Sequence, residues 1–384
     1  MALTPAGAAQ EEVIARTNAR GLYWSCAQQL AHATLNEATI RAGASSERGP
    51  RRPASGPELA GRLPSLWMAG PLQTLDSDAV TEIGEKLTAN IGQSVKVRDE
   101  ILRDLLVALL AEGHVLIEDF PGVGKTALAR ALARSIDAEY SRVQCTADLL
   151  PADLMGTNVF NQRETKFEFH PGPVFANIVL VDEINRASPK TQSGLLECMQ
   201  ERRVTVDNQA HQLAVPFLLI ATQNPVEYEG TYPLPEAQLD RFMVRVALGY
   251  PEAEEEASML DEHAAGDRVL ELDPVTDVAT VLAAQAAVVE VHGSEPLREY
   301  VVSLCEATRA DPRVTLGASP RAGLMLFRAA KALAALRGRD HALPDDVREL
   351  APAVLIHRLL LAPGVEAGGG EEIVRDAIES VPAL

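Results

Sequence analysis

Cysteine is scarce in this chain: four residues among 384, Cys26, Cys145, Cys198 and Cys305, far apart and in no CxxC or Cys/His cluster. That spacing argues against a disulfide framework and against a zinc site, and leaves isolated thiols of the kind that serve as small buried hydrophobes. No apolar run approaches the ~18 residues needed to cross a bilayer. The N-terminus, MALTPAGAAQEE, lacks the basic stretch and apolar core of a signal peptide, so the expected location is cytoplasmic, with no membrane insertion. Dense Lys/Arg runs are missing too. The formal net charge is −19, which repels nucleic acid and anionic membrane, so no nucleic-acid partner is expected. No internal repeat appears.

What is present is an ordinary globular composition, 47% hydrophobic and 23% charged. At roughly 100–200 residues per domain, the length suggests two or three units. Texture divides the chain in the same way. Residues 1–75 are rich in Ala, Gly, Pro and Arg, and 45–58 (SSERGPRRPASGPE) resembles a linker. Residues 76–250 alternate short apolar runs with helical patterns, as a parallel sheet with crossover helices requires. The candidate strands are 114–119, 141–145, 177–182, 217–222 and 244–249. Residues 251–384 lose the strand pattern and turn helical, with Pro or Gly at the breaks. A hinge is expected at Gly249–Pro251, and the acidic stretch 252–263 is expected to form the solvated face of the first helix beyond it.

The strongest local signal follows the first strand. FPGVGKT (120–126) leads into ALARALARSI (127–136): strand, Gly-rich turn, helix. Gly122 and Gly124 let the backbone curl so that successive N–H groups face inward at a helix N-terminus, an anion-binding nest. Lys125 can reach the β- and γ-phosphates of a nucleotide, and Thr126 can offer its hydroxyl to Mg²⁺. The strict pattern GxxxxGK[ST] places Gly at position 119, where this chain has Asp119. A residue with a side chain is tolerable there if its φ stays negative.

About 60 residues further on, the apolar run NIVLV ends in Asp182 and Glu183. At the carboxyl end of a central strand these face the crevice where open α/β sheets bind ligands. Asp182 suits Mg²⁺ held through its water shell. Glu183 suits the orientation and deprotonation of an attacking water. FLLIATQNP (217–225) ends in Gln223 and Asn224, and an amide there can contact the γ-phosphate or the water. LDRF (239–242) carries Arg241, either a surface residue or one that reaches a neighbouring subunit's nucleotide. GASPRAGLMLF (317–327) opens a helix with Arg321 in its first turn, against the helix dipole, a mild cost that favours a functional reason.

In this order, the phosphate loop, acidic pair, Asn, Arg and a helical segment with a second Arg resemble an AAA+ module. Three longer strings carry a closer resemblance to the MoxR family, of the helix-2-insert clade: EDFPGVGKTALARALARS, FEFHPGPVFANIVLVDEINRASPKTQSGLLECMQERRVTV and FLLIATQNPVEYEGTYPLPEAQLDRF. It covers roughly residues 78–365. It implies an α/β fold, with a five-stranded parallel sheet sandwiched by helices over 76–250 and an all-helical lid domain over 251–384. It also implies ATP and Mg²⁺ as ligands, ATP hydrolysis, and hexameric rings with active sites between subunits. Carried over, Pro121, Gly122, Val123, Gly124, Lys125, Thr126 and Ala127 hold the nucleotide. Thr126 and Asp182 hold Mg²⁺, and Glu183 activates water. Asn224 is the first sensor, Arg241 the finger and Arg321 the second sensor. Residues 92–102 lie against the adenine, and 157–175 and 202–215 are inserted hairpins facing the ring's working surface. The family's usual partners carry a von Willebrand factor A domain, and its usual task is chaperone-like maturation of a client, including metal insertion.

Residues 1–75 do not fit this family. Within them, 20–43 faintly resemble a fragment of the fumarylacetoacetase family, too short to form that enzyme's site, and the segment is expected to be a poorly ordered extension. Three other functions compete with this one. A nucleic-acid-translocating motor would share the hairpins, but the net acidity opposes it. A nucleotide-gated scaffold without turnover would not need both Lys125 and Glu183. A small-molecule kinase would not need Arg241 placed for a neighbour.

Overall fold

The computed structural model describes residues 75–224, 230–250, 268–366 and 368–383. The fumarylacetoacetase-like stretch 20–43, the acidic stretch 252–263, Cys26, Pro225 and Pro251 lie outside the described residues.

Two helices precede the sheet: α1 (Ser77–Gly92), capped by the Asp76 carboxylate accepting from the Ala79 N–H at 2.9 Å, and α2 (Asp99–Leu110). The core alternates strands with helices and hairpins. β1 (Val115–Glu118) leads through the phosphate loop to α3 (Lys125–Ser135), then β2 (Tyr140–Gln144) and a short α4 (Pro151–Met155). β3 (Gly156–Asn161) and β4 (Lys166–Pro171) form an antiparallel hairpin. β5 (Ile178–Asp182) is followed by α5 (Pro189–Glu201) and a second hairpin, β6 (Arg203–Val206) and β7 (Gln209–Gln212). β8 (Leu218–Gln223), α6 (Glu236–Leu239) and β9 (Val244–Val246) complete the set. Each predicted strand is found. The last is shorter than expected because the chain leaves the sheet for a left-handed turn at Gly249, φ 73°, where the expected hinge begins.

The main sheet is fully parallel, in the order β2-β5-β8-β1-β9. Its middle strands are apolar on both faces, as a sheet covered on both sides demands. The two-residue period divides them: Val115 and Ile117 of β1 and Leu218 and Ile220 of β8 face one core, while Leu116, Leu219 and Ala221 face the other. Burial of each of these Val, Leu and Ile side chains contributes about 1.5–3 kcal/mol. The first core continues without a break into the C-terminal helices α7 (Val278–Glu290), α8 (Glu295–Ala310), α9 (Pro320–Leu336) and α10 (Pro344–Leu355); α11 (Gly369–Ser380) adds Val374 to it. This part is helical as expected, apart from a short antiparallel ribbon of β10 (Val314–Leu316) and β11 (Leu360–Leu361). Both predicted hairpins form, and Phe169 of the first stacks on His211 of the second at 3.8 Å between centroids. Among the described residues, no helix is long and apolar enough to cross a membrane. The three described cysteines are buried, and burial pushes the thiols of Cys145 and Cys198 up to about 12, so they behave as the small hydrophobes expected.

Two buried histidines tie the elements together in their neutral form. His114 accepts the Leu219 N–H on Nδ1 at 3.1 Å, and its Nε2 lies 3.1 Å from the Met199 carbonyl, joining β8 to α5. Burial pulls its pKa down to about 4. His357, with Nε2 3.1 Å from the Phe242 carbonyl, is pulled well below its ordinary value for the same reason. An unfolded histidine takes a proton near pH ~6.5, and a folded one here does not. Their contribution is therefore complete above that pH and is lost as pH falls toward the folded value. The urea midpoint of unfolding is expected to fall between pH 6.5 and pH 4; a midpoint that is flat or rises on acidification contradicts this assignment.

Candidate active site

The strand order brings the chemistry together. β8 lies between β5 and β1, so the carboxyl ends of three adjacent strands deliver the acidic pair, the Thr222–Asn224 segment and the phosphate loop side by side. They open on a cavity of about 520 Å³. Of the residues singled out from the sequence, Pro121, Gly122, Gly124, Lys125, Thr126, Ala127, Asp182, Glu183 and Asn224 line it. Val123 does not; its side chain packs against the hydrophobic core, leaving only its backbone for the loop. Ser94, in the segment expected to meet adenine, lines the same cavity.

Gly122 and Gly124 adopt φ of 87° and 91°. A Cβ at either would meet nothing within 4 Å, so the left-handed backbone itself, and not crowding, calls for glycine. Gly124 is the N-cap of α3, whose first-turn N–H groups have no partners within the helix and point to where an anion sits. Asp119 keeps a negative φ and is buried. Its carboxylate accepts the Phe120 N–H at 2.8 Å and the Gly249 N–H at 2.7 Å, fastening the root of the loop to the end of the sheet. That role explains a carboxylate where the strict motif has glycine. Lys125 Nζ donates to the Asp119 carbonyl at 2.7 Å; burial lowers its pKa, while Asp119, Asp182 and Glu183 oppose that shift.

The acids are held by a residue the motif reading missed. Thr222 Oγ1 donates to Asp182 Oδ1 at 3.2 Å and accepts the Glu183 N–H at 3.0 Å. Glu183 sits in the left-handed region, φ 55° and ψ 50°, unusual for a residue with a side chain and found where surrounding contacts over-determine the backbone. Its Oε2 pairs with Arg186 Nε at 2.9 Å. Asp182 Oδ2 accepts from Arg142 Nε at 2.7 Å, across from β2. Arg130, Arg142 and Arg268 also line the cavity, giving it cationic walls suited to a polyphosphate. The available signal for Thr222 was a lone hydroxyl ending an otherwise apolar strand. Arg142 carried no such signal, because only the pairing of β2 with β5 sets it beside Asp182. Thr126 and Asp182 offer hard oxygen ligands at this cavity, a set that fits Mg²⁺ completed by water and phosphate oxygens.

Arg241 and Arg321 do not line the cavity. They lie near each other beside Asp240. Burial lowers the pKa of Arg321, Asp240 raises it and Arg241 lowers it further.

Comparison with known proteins agrees with this geometry. Residues 114–244 match the ATPase family associated with various cellular activities (AAA), and 306–377 match an AAA lid domain. A crystal structure of a Cytophaga hutchinsonii protein described as an ATPase superposes with TM-score 0.75 at 38% identity, covering 80% of this chain and 97% of that one. Fold and site together thus define an AAA+ ATPase, which binds and hydrolyses ATP. The chain is 47% identical to YeaC of Bacillus subtilis, covering 77% of this chain and 96% of the relative. It is 41% identical to the chaperone MoxR1 of Mycobacterium tuberculosis (72% and 75% covered) and 33% identical to protein MoxR of Methylorubrum extorquens (76% and 93%). It belongs to the MoxR family.

Thr222→Val keeps the shape of the side chain and removes both hydrogen bonds to the acidic pair. Losing a bond to a charged group is worth about 1.5–3 kcal/mol, so turnover is expected to fall ~10- to 100-fold with ATP binding retained. Thr222→Ser should restore it. Steady-state turnover alongside equilibrium ATP binding distinguishes this from general misfolding, which would reduce both.

Proposed function

We propose that this chain works as a ring of identical subunits, six by family precedent, that spends ATP hydrolysis on remodelling a partner protein. The observation that carries the reading is the position of Arg241 and Arg321. Both lie off their own chain's cavity, so a site with these arginines at the γ-phosphate needs a second copy. The nucleotide-binding part then spans 76–250 and the helical lid 251–384, with the expected hinge at Gly249–Pro251 between them.

The proposed reaction uses side chains already in place. The triphosphate displaces the Lys125 ammonium from the Asp119 carbonyl and takes it onto its β- and γ-oxygens. Loop N–H groups and the start of α3 hold the remaining phosphate oxygens. Glu183 orients a water and accepts its proton as the water oxygen bonds to the γ-phosphorus. The bond from that phosphorus to the β–γ bridging oxygen breaks, and ADP leaves with the electron pair. Mg²⁺, held by Thr126 and Asp182, would neutralise charge on the β- and γ-oxygens. Arg241 and Arg321 of the adjacent copy stabilise the charge that develops, and Asn224 contacts the γ-phosphate or the water. Loss of the phosphate is then felt by both parts of the neighbour, and the lid turns on its hinge.

The curated relatives bear the names chaperone MoxR1 and protein MoxR. On that basis the client is a protein; by the family resemblance it is of the von Willebrand factor A class, matured in the cytoplasm and loaded with metal in the process. A nucleic-acid motor is the second reading, and the net charge of −19 argues against it; stimulation of turnover by DNA would support it instead.

Glu183→Gln is expected to retain ATP and lose turnover; turnover at the parental rate removes Glu183 from its role. Arg241→Ala alone should lose on the order of 10³-fold. Mixed with Glu183→Gln copies, it should recover part of that activity, because each variant supplies what the other lacks. No recovery at any mixing ratio would show a site complete within one chain.

A further inference from the structure

The two segments that carry the arginines lying off the cavity are joined through one carboxylate. Asp240, directly before Arg241, ends α6. Each of its oxygens lies 3.0 Å from Ser319 Oγ, and Oδ1 lies 3.5 Å from Arg358 Nε. Ser319 is the N-cap of α9, where its Oγ also accepts the Ala322 N–H at 3.1 Å; Arg321 is the second residue of that helix. The link therefore runs from the segment bearing Arg241, across one hydroxyl, to the helix end bearing Arg321.

Arg358 supplies the other half of the arrangement. Its side chain is 1% exposed, and its Nη2 donates to the Phe242 carbonyl, one residue beyond Arg241. Neither its Nε nor its Nη1 makes a hydrogen bond, so Asp240 meets it as an ion pair. A buried guanidinium so thinly matched is costly unless a carboxylate balances it, and Asp240 is the acid that does so. Arg321 bears on Arg358 with like charge, and Arg241 bears on Arg321 in the same way. Arg321 and Arg358 both feel the Asp240 carboxylate, which offsets the like charge between them.

We infer that Asp240 is a positioning residue for the neighbouring copy's active site. By gripping Ser319 and balancing the buried Arg358, it locks Arg241 and Arg321 into one two-arginine clamp. The inference deepens the shared-site reading above and rests on it. In the clamp, the finger from the nucleotide-binding part and the arginine from the helical part meet the phosphate as a unit. A movement of α9 is then transmitted directly to the finger.

The test uses full-length protein, alone and mixed with Glu183→Gln copies. Asp240→Asn keeps size and removes the charge. Its turnover is expected to fall ~10- to 100-fold, the loss of a charged hydrogen bond, with ATP affinity unchanged. Mixing with Glu183→Gln should restore turnover, since the defect lies in what the chain gives its neighbour. Asp240→Asn combined with Arg241→Ala should lose no more than Arg241→Ala alone, because both remove one device. Ser319→Asp keeps an N-cap acceptor while setting two carboxylates face to face, and should reproduce the loss; Ser319→Thr keeps the hydroxyl and should turn over normally. If Asp240→Asn does not fold, the Ser319 pair decides by the same readouts. Asp240→Asn at the parental rate, losses that add to those of Arg241→Ala, or a loss matched by ATP affinity and not restored by mixing would each overturn the clamp. If Arg241→Ala itself is not rescued by mixing, the shared site fails first. If it is rescued while the Asp240 and Ser319 variants turn over normally, only the clamp fails.

Discussion

Everything chemical in this molecule depends on a phosphate loop whose backbone N–H groups stay turned inward at the start of α3. Two left-handed glycines make that shape possible, and a buried carboxylate at its root holds it against the sheet. Asp119 anchors both sides of this junction: it caps the loop's first N–H and holds the N–H of Gly249, where the chain leaves the sheet. The carbonyl of the same residue keeps the Lys125 ammonium in place. Loop geometry, the lysine and the exit toward the helical part therefore converge on one residue.

The second constraint is the sheet order. Because β8 lies between β5 and β1, Thr222 reaches the acidic pair from the adjacent strand and uses one hydroxyl on both members. It accepts a backbone N–H that a left-handed Glu183 presents and donates to an oxygen of Asp182. The strained backbone at Glu183 is thereby held where its carboxylate faces the cavity. Strain of this kind survives only when neighbouring contacts require it, and here the contact can be named.

Charge follows the same division of labour. The chain is strongly acidic as a whole, yet the cavity is walled by Arg130, Arg142, Arg268 and Lys125. A second cationic group lies away from it: Arg321 and Arg358 feel Asp240, and Arg241 bears on Arg321. The first lines the cavity that holds the phosphate loop and the acidic pair, and the second lies outside it. Net charge alone would not have revealed either, because it sums over the surface and conceals local grouping.

The parts legible in the sequence were those whose physics is local. The parallel strands announced themselves as short runs apolar on both faces. The phosphate loop was visible because glycine, lysine and threonine must follow one another for backbone and side chains to meet one triphosphate. Asp182 and Glu183 were visible because they end a buried strand. Thr222, Arg142 and the work of Asp119 were not, since each acts through a partner tens of residues away or more, and only the sheet order supplies that partner. The sequence by itself determined which residues could bind and cleave a phosphate. The tertiary structure alone decided that Val123 turns to the core and that Arg241 and Arg321 stand together off their own cavity, because strand order and helix packing set distances between segments that no local pattern records.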